Sequence, residues 1–160
     1  MVLMETLYVI SQIVDMIWIG RLGSSAIAGV GIANMVLMLV MSMDIGIVMG
    51  VRAMVSRFVG ADDLPAANRV AGQALILGAA WGTLIMTSGI TVTGPIMGLF
   101  GVEAEVVANG TAYMRIMFAG WTALIILVMG LYVVQSSGDT ISPLMIEVLI
   151  RILHVALCPF

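Results

Sequence analysis

Long apolar stretches separated by short polar connections make up most of this chain. Each stretch approaches the ~20 residues that cross a bilayer as an α-helix. The connections contain glycine, proline, serine and aspartate, which are typical of helix ends. The pattern predicts an all-α, polytopic membrane helix bundle of about five transmembrane helices, at about residues 1–19, 27–51, 70–93, 112–134 and 143–160.

Two connections carry specific helix-capping residues. Before the third predicted helix, Asp62 or Asp63 can act as the cap, and Pro65 fits the first turn. Before the fifth, Ser142 is the expected cap and Pro143 lies in the first turn. These residues predict where helices begin.

The composition agrees with a membrane location. Hydrophobic residues make up 62% of the chain and charged residues 9%, whereas an average soluble domain has roughly 25% charged residues. The net charge is −3, and the chain has no basic run that could follow a nucleic-acid backbone. We therefore expect no nucleic-acid partner. We also expect no cofactor, since a phosphate-binding Gly-rich loop and a Cys/His cluster are both missing.

The arginines predict the orientation. The connection at 52–69 contains three of them, Arg52, Arg57 and Arg69, whereas 94–111 contains none. The positive-inside rule places 52–69 in the cytoplasm. We expect an integral membrane protein, in the cytoplasmic (inner) membrane of a prokaryote. The last predicted helix reaches Phe160 without a flanking charge, so we interpret the chain as a fragment of a larger protein.

Small residues recur at four-residue spacing in two predicted helices. They are Gly46 and Gly50 in the second helix and Ala74, Gly78 and Gly82 in the third. Such spacing allows close helix–helix approach. Fifteen methionines provide flexible apolar side chains that can fill gaps or line an adaptable cavity.

Polar residues form a stripe on two of the apolar helices. A charge at the bilayer centre costs about 2.5–3.5 kcal/mol even on insertion scales, so these residues should face a cavity or a partner. Their spacings of three and four residues place them on one helix face. The stripes are Glu5, Tyr8, Gln12 and Asp15 in the first helix, and Glu147, Arg151, His154 and Cys158 in the fifth.

The depth of these residues predicts a candidate cation-coupling site. With a rise of ~1.5 Å per residue, Asp15 and Cys158 reach similar levels in the outer half of the membrane, and His154 lies one turn deeper. Gln12, Asn34 and Arg115 are candidates for lining the same cavity. Two alternatives stay open: Asp15 could form an ion pair with Arg115 that only holds helices together, and Glu147 could be neutralised by Arg151.

Five segments resemble, in sequence and order, the N-terminal lobe of the multidrug and toxic compound extrusion (MATE) family. They are IVDMIWIGRLGSSAIAGVGIANM, SRFVGADDLPAANRVAGQAL, YMRIMFAGW, QSSGDTISPLM and RILHVALCPF. The resemblance implies a twelve-helix antiporter built from two six-helix lobes, of which this chain would supply about helices 1 to 5. The implied partners are the lipid bilayer, small amphipathic organic substrates and the missing C-terminal lobe.

The resemblance also implies roles for individual residues. Asp15 matches the acidic residue that prokaryotic members use in cation coupling. His154 and Cys158 stand where many members have asparagine and aspartate. Sodium prefers oxygen ligands, so an imidazole and a thiol favour protons over sodium as the coupling ion. Asp15 would accept the proton, and His154, which titrates near neutral pH, would tune it.

The predicted function is export of amphipathic, often cationic, drugs or toxins in exchange for protons. Two other classes of protein are alternatives. A membrane enzyme of the intramembrane hydrolase type would need serine, histidine and aspartate to converge, and no Gly-x-Ser-x-Gly elbow accompanies His154, the single histidine. The other alternative is a non-transporting helical fragment that is a structural or partner-binding membrane segment.

Overall fold

The computed structural model describes residues 2–21 and 23–157, and for residues 2–5, 7 and 8 it describes the backbone alone. Six α-helices and no strands are found in these ranges. The all-α prediction is confirmed. The helices are α1 (Val2–Gly20), α2 (Ser24–Gly60), α3 (Leu64–Leu99), α4 (Ala104–Ala119), α5 (Trp121–Ser136) and α6 (Ile141–Leu157).

The second and third helices are longer than the apolar stretches that predicted them. α2 has 37 residues and α3 has 36, which at ~1.5 Å per residue is about 55 Å, compared with about 30 Å for the hydrocarbon core. Polar residues that were expected in the connection, such as Arg57 and Arg69, lie within the helices. α3 also continues through Pro95 to Leu99, although the sequence placed a break at 94. Membrane helices tolerate such prolines.

The predicted continuous helix over 112–134 is in fact two helices. α4 and α5 meet at Gly120 with a bend of 48°. By length and composition, α2 and α3 can each cross a membrane, and the α4–α5 pair is a third span if it counts as one. α6 and the described apolar part of α1, Val9–Gly20, are shorter, so the two terminal spans stay predictions.

Four helices form the centre of the bundle, and the other two pack beside it. α2 and α3 pack against each other and against both α4 and α5, while α1 packs mainly on α6 and to a smaller extent on α2. Two apolar core clusters follow the length of α2. The first comprises Ala33, Leu37, Met97, Met114, Phe118 and Trp121. The second comprises Val48, Val51, Val55, Ala74, Ile125 and Met129.

Glycines bring particular helix pairs close together. A Cβ atom on Gly29 would lie 2.8 Å from the backbone nitrogen of Gly110, so α2 and α4 are nearly in backbone contact there. On α3, Gly78 and Gly82 face side chains of α5, as the predicted spacing implies. A Cβ on Gly46 or Gly50 would have no neighbour within 4 Å among the described atoms, so the described helices make no close approach at these two glycines.

The helix caps agree with the sequence at α3 and differ at α6. Asp63 accepts a hydrogen bond from the Ala66 backbone N–H at 3.0 Å. At α6 the capping side chain is Asp139, which accepts the backbone N–H groups of Ile141 and Ser142 at 3.0 Å each. Ser142, the predicted cap, lies inside the first turn and donates its hydroxyl to Asp139. The Ser142 hydroxyl and these N–H groups together lower the pKa of Asp139.

Candidate coupling site

Asp15 and His154 form the centre of the candidate site. His154 Nε2 lies 3.5 Å from Asp15 Oδ1, and the two side chains are 45% and 41% exposed. The contact is an ion pair when the imidazole is protonated and a polar contact when it is neutral. It joins α1 to α6, because Asp15 lies five residues before the end of α1 and His154 three before the end of α6.

Two of the other predicted site residues lie around this pair. Asn34 Oδ1 accepts a hydrogen bond from the Tyr113 hydroxyl at 3.3 Å, which links α2 to α4. The charge of Asp15 also acts on the Tyr113 hydroxyl. Gln12 lies one turn before Asp15 on α1 and is exposed. Sequence reasoning did not predict Tyr113 as a site residue. The available signal was its position two residues before Arg115, on the same helix.

The remaining predicted residues fall outside this group. Arg115 is exposed, and the ion pairs found between described side chains do not include one between Arg115 and Asp15. That alternative is therefore wrong. Cys158 lies outside the described residues, as do the side chains of Glu5 and Tyr8.

The polar stripe of α6 includes a second charged pair. Arg151 Nη2 lies 4.0 Å from Glu147 Oε1, one helical turn away. This contact confirms the predicted i,i+4 pair. The neutralising charge for Glu147 thus comes from its own helix, and His154 of the same helix contacts Asp15.

A buried carboxylate in α2 is the main feature that the sequence analysis did not use. Asp44 is 9% exposed. Trp81 Nε1 of α3 donates to its Oδ1 at 2.7 Å, and Trp121 Nε1 of α5 donates to its Oδ2 at 3.0 Å. The available signal was an aspartate within a long apolar helix together with two tryptophans, because a buried indole N–H usually needs an acceptor.

Side-chain hydrogen bonds near the start of α2 join it to α4. Ser25 Oγ donates to Glu105 Oε1 at 2.9 Å, and Asn109 Nδ2 lies 3.4 Å from Ser25 Oγ as a further donor. These bonds tie the first turns of the two helices together. They hold α4, which carries Tyr113, at a fixed height relative to Asn34 on α2.

Comparison with known proteins identifies the family. The MatE family model matches residues 1–160. The chain belongs to the MatE family. Family members are membrane transporters, so the chain is part of a multidrug efflux family and an integral membrane protein, as the sequence resemblance implied.

The relatives of this MatE chain are transporters of about three times its length. It is 28% identical over 153 residues to a FAD transporter of Shewanella oneidensis, covering 92% of this chain and 33% of the relative. The fold matches a MOP superfamily transporter from Pyrococcus furiosus with a TM-score of 0.92 and 25% identity, covering 98% of this chain and 34% of the other. A MATE transporter solved in complex with MaD3S gives a TM-score of 0.91 at 25% identity, with 98% and 35% covered.

Proposed function

We propose that this chain is part of a secondary antiporter that exports amphipathic, often cationic, small molecules in exchange for protons. The supporting observation is the contact between His154 Nε2 and Asp15 Oδ1, 3.5 Å apart and less than half exposed. In this proposal Asp15 binds the transported proton and His154 modulates that binding. The proposal concerns the complete transporter, because the chain spans about a third of its relatives.

The chemistry of the pair favours protons over sodium. One oxygen-bearing side chain and one imidazole make a poor site for a hard cation that prefers oxygen ligands. Both groups can bind and release a proton. Each proton that crosses a 100 mV potential supplies about 2.3 kcal/mol, which can drive uphill export without ATP.

A cationic substrate is favoured by the charges around the pair. The described side chains grouped there are Asp15, His154, Asn34 and Tyr113, which provide one negative charge and neutral hydrogen-bonding groups while the imidazole is unprotonated. Arg115 is exposed. The Shewanella relative is named a FAD transporter, and FAD is an anion. An anionic substrate is therefore the second candidate, and the same assay tests it.

The test is transport by the complete antiporter in proteoliposomes with an imposed pH gradient. A fluorescent lipophilic cation should be exported when the gradient is present and when potassium replaces sodium. Asp15→Asn should abolish export while the protein remains folded, since the change is nearly isosteric and removes a costly charge. Strict sodium dependence would overturn proton coupling, and export of FAD with no export of the cation would overturn the substrate class.

The alternative function is that of a non-transporting membrane segment, which only packs against a partner. It predicts that Asp15→Asn leaves transport by the complete protein unchanged. The position of 52–69 in the cytoplasm, and the cytoplasmic membrane as the location, belong to the same proposal. The three arginines of this segment support it.

A further inference from the structure

Asp44 occupies a position between the two apolar core clusters. On α2 it lies after Leu37 of the first cluster and before Val48 of the second. Its two hydrogen-bond donors also belong to different clusters: Trp121 is part of the first, and Trp81 packs against the second. Asp44 therefore connects both halves of the core and three helices, α2, α3 and α5.

Both donors to this carboxylate are neutral. The indole N–H groups of Trp81 and Trp121 occupy one oxygen each, at 2.7 and 3.0 Å. No basic side chain in the described ranges lies within 4 Å of Asp44. An ionised carboxylate buried in apolar surroundings is costly unless a positive charge compensates it. The anionic form of Asp44 thus depends on two neutral hydrogen bonds alone.

The charged groups on the surrounding helices are engaged elsewhere or exposed. Arg52 lies two turns further along α2, and its guanidinium stacks on the Tyr132 ring of α5 at 4.8 Å. On α4, Glu105 bonds Ser25 and Arg115 is exposed.

Other titratable groups on α3, α4 and α1, the helices that pack on α2, are also exposed or engaged elsewhere. Arg69 of α3 lies twelve residues before Trp81 and is exposed. On α4, the Tyr113 hydroxyl donates to Asn34. On α1, Asp15 contacts His154 of α6. None of these groups provides the positive partner that would keep Asp44 permanently ionised.

We propose that Asp44 is a second proton-binding site, distinct from Asp15. The proton adds to one carboxylate oxygen and converts the carboxylate to a neutral carboxylic acid. Hydrogen bonds to an ionised acceptor are roughly twice as strong as those between neutral groups. Proton uptake therefore weakens the bonds from Trp81 and Trp121.

The consequence concerns the bend between α4 and α5. Trp121 is the first residue of α5 and follows Gly120, where the chain bends by 48°. Its bond to Asp44 fixes the start of α5 to α2. A proton on Asp44 weakens that attachment, so the charge of Asp44 controls how firmly the bend is held. This inference does not depend on transport and goes beyond the proposed function.

The experiment uses tryptophan fluorescence of the chain in lipid nanodiscs. Trp18 is replaced with phenylalanine, so that the remaining emission comes from the two donors to Asp44. We expect one transition in the emission as the pH is lowered and Asp44 takes up a proton, because both indoles bond its carboxyl group. Asp44→Asn should abolish the transition, and Asp15→Asn should leave its midpoint unchanged.

Three results would overturn the proposal. They are a wild-type chain without a transition, a transition that persists in folded Asp44→Asn, and a midpoint that moves with Asp15→Asn. If circular dichroism shows that Asp44→Asn does not fold, Asp44→Glu decides the matter. It keeps a carboxyl group one methylene further from α2, so the transition should remain with a displaced midpoint, and an unchanged midpoint would contradict the assignment. Because no transport is measured, these results are independent of the proposed antiport.

Discussion

The imidazole of His154 lies 3.5 Å from the Asp15 carboxylate and joins the first helix to the sixth. His154 is the single histidine of the chain. The pair places the carboxylate that is proposed to bind the proton next to an imidazole.

Replacement of His154 by glutamine should change the pH dependence of transport without abolishing transport. Glutamine retains a hydrogen-bonding group and removes the charge change near neutral pH. The pH profile of the complete antiporter should lose its step near neutrality, while the maximal rate stays close to wild type. A profile identical to wild type would remove His154 from the coupling site.

Arg115→Gln should change stability by no more than about 0.5 kcal/mol, as is usual for exposed positions. Arg115 is exposed and makes no ion pair with Asp15 among the described side chains. The check is thermal unfolding of Asp15→Asn, Arg115→Gln and the double variant. Their effects should add within about 0.5 kcal/mol. A strong coupling between the two changes would show that the residues interact after all.

Gly29→Ala should destabilise the bundle by about 1–3 kcal/mol, the usual cost of overpacking. Its new methyl group would lie 2.8 Å from the Gly110 nitrogen and from the Val106 carbonyl oxygen, neither of which is a flexible side-chain end. Gly31→Ala is the matched control on the same helix, with no described atom within 4 Å of its Cβ position. The control should be neutral or slightly stabilising, and equal losses in both variants would contradict close α2–α4 contact.

The capping carboxylate of α6 gives a pH-dependent prediction. Because hydrogen bonds from Ser142 and Ile141 lower the pKa of Asp139 in the folded chain, its stabilising effect is complete above the unfolded value of about 3.9. The effect is lost as the pH falls through the lower folded value. Asp139→Ala should lower the melting temperature at neutral pH, and the difference from wild type should vanish in strong acid. A difference that is independent of pH would exclude the charged cap.

A cysteine at Ala61, in a chain whose native cysteine is replaced by serine, tests the orientation. Ala61 is exposed in the connection between α2 and α3. A membrane-impermeant thiol reagent should label it only when it has access to the cytoplasmic side. Labelling from outside intact cells would reverse the direction predicted for every helix.

The sequence predicted the features that depend on local spacing. The i,i+4 pair of Glu147 and Arg151 follows from helix periodicity alone. The depth estimate predicted that Asp15 and His154 lie in the same half of the membrane, about one turn apart, and the structure places them 3.5 Å apart. Their roles in coupling stay predictions.

The features that sequence reasoning missed depend on partners far away in the chain. Asp44 takes its hydrogen bonds from residues 37 and 77 positions later, and nothing in the local pattern selects those two tryptophans. The break at Gly120 lies inside an uninterrupted apolar run, so periodicity gives no sign of it. At α6, Ser142 and Asp139 are both good caps by type, and only the backbone geometry selects Asp139.

The pairing of α1 with α6 determines when the candidate site can be completed during synthesis. His154 leaves the ribosome about 140 residues after Asp15. At roughly 5–20 residues per second, that interval is about 7–28 s. Throughout it, the first helix is already made while its main packing helix does not yet exist. Any factor that assists membrane insertion therefore has to accommodate an acidic first helix for that time, and the final position of α1 is one of the last features of this bundle to form.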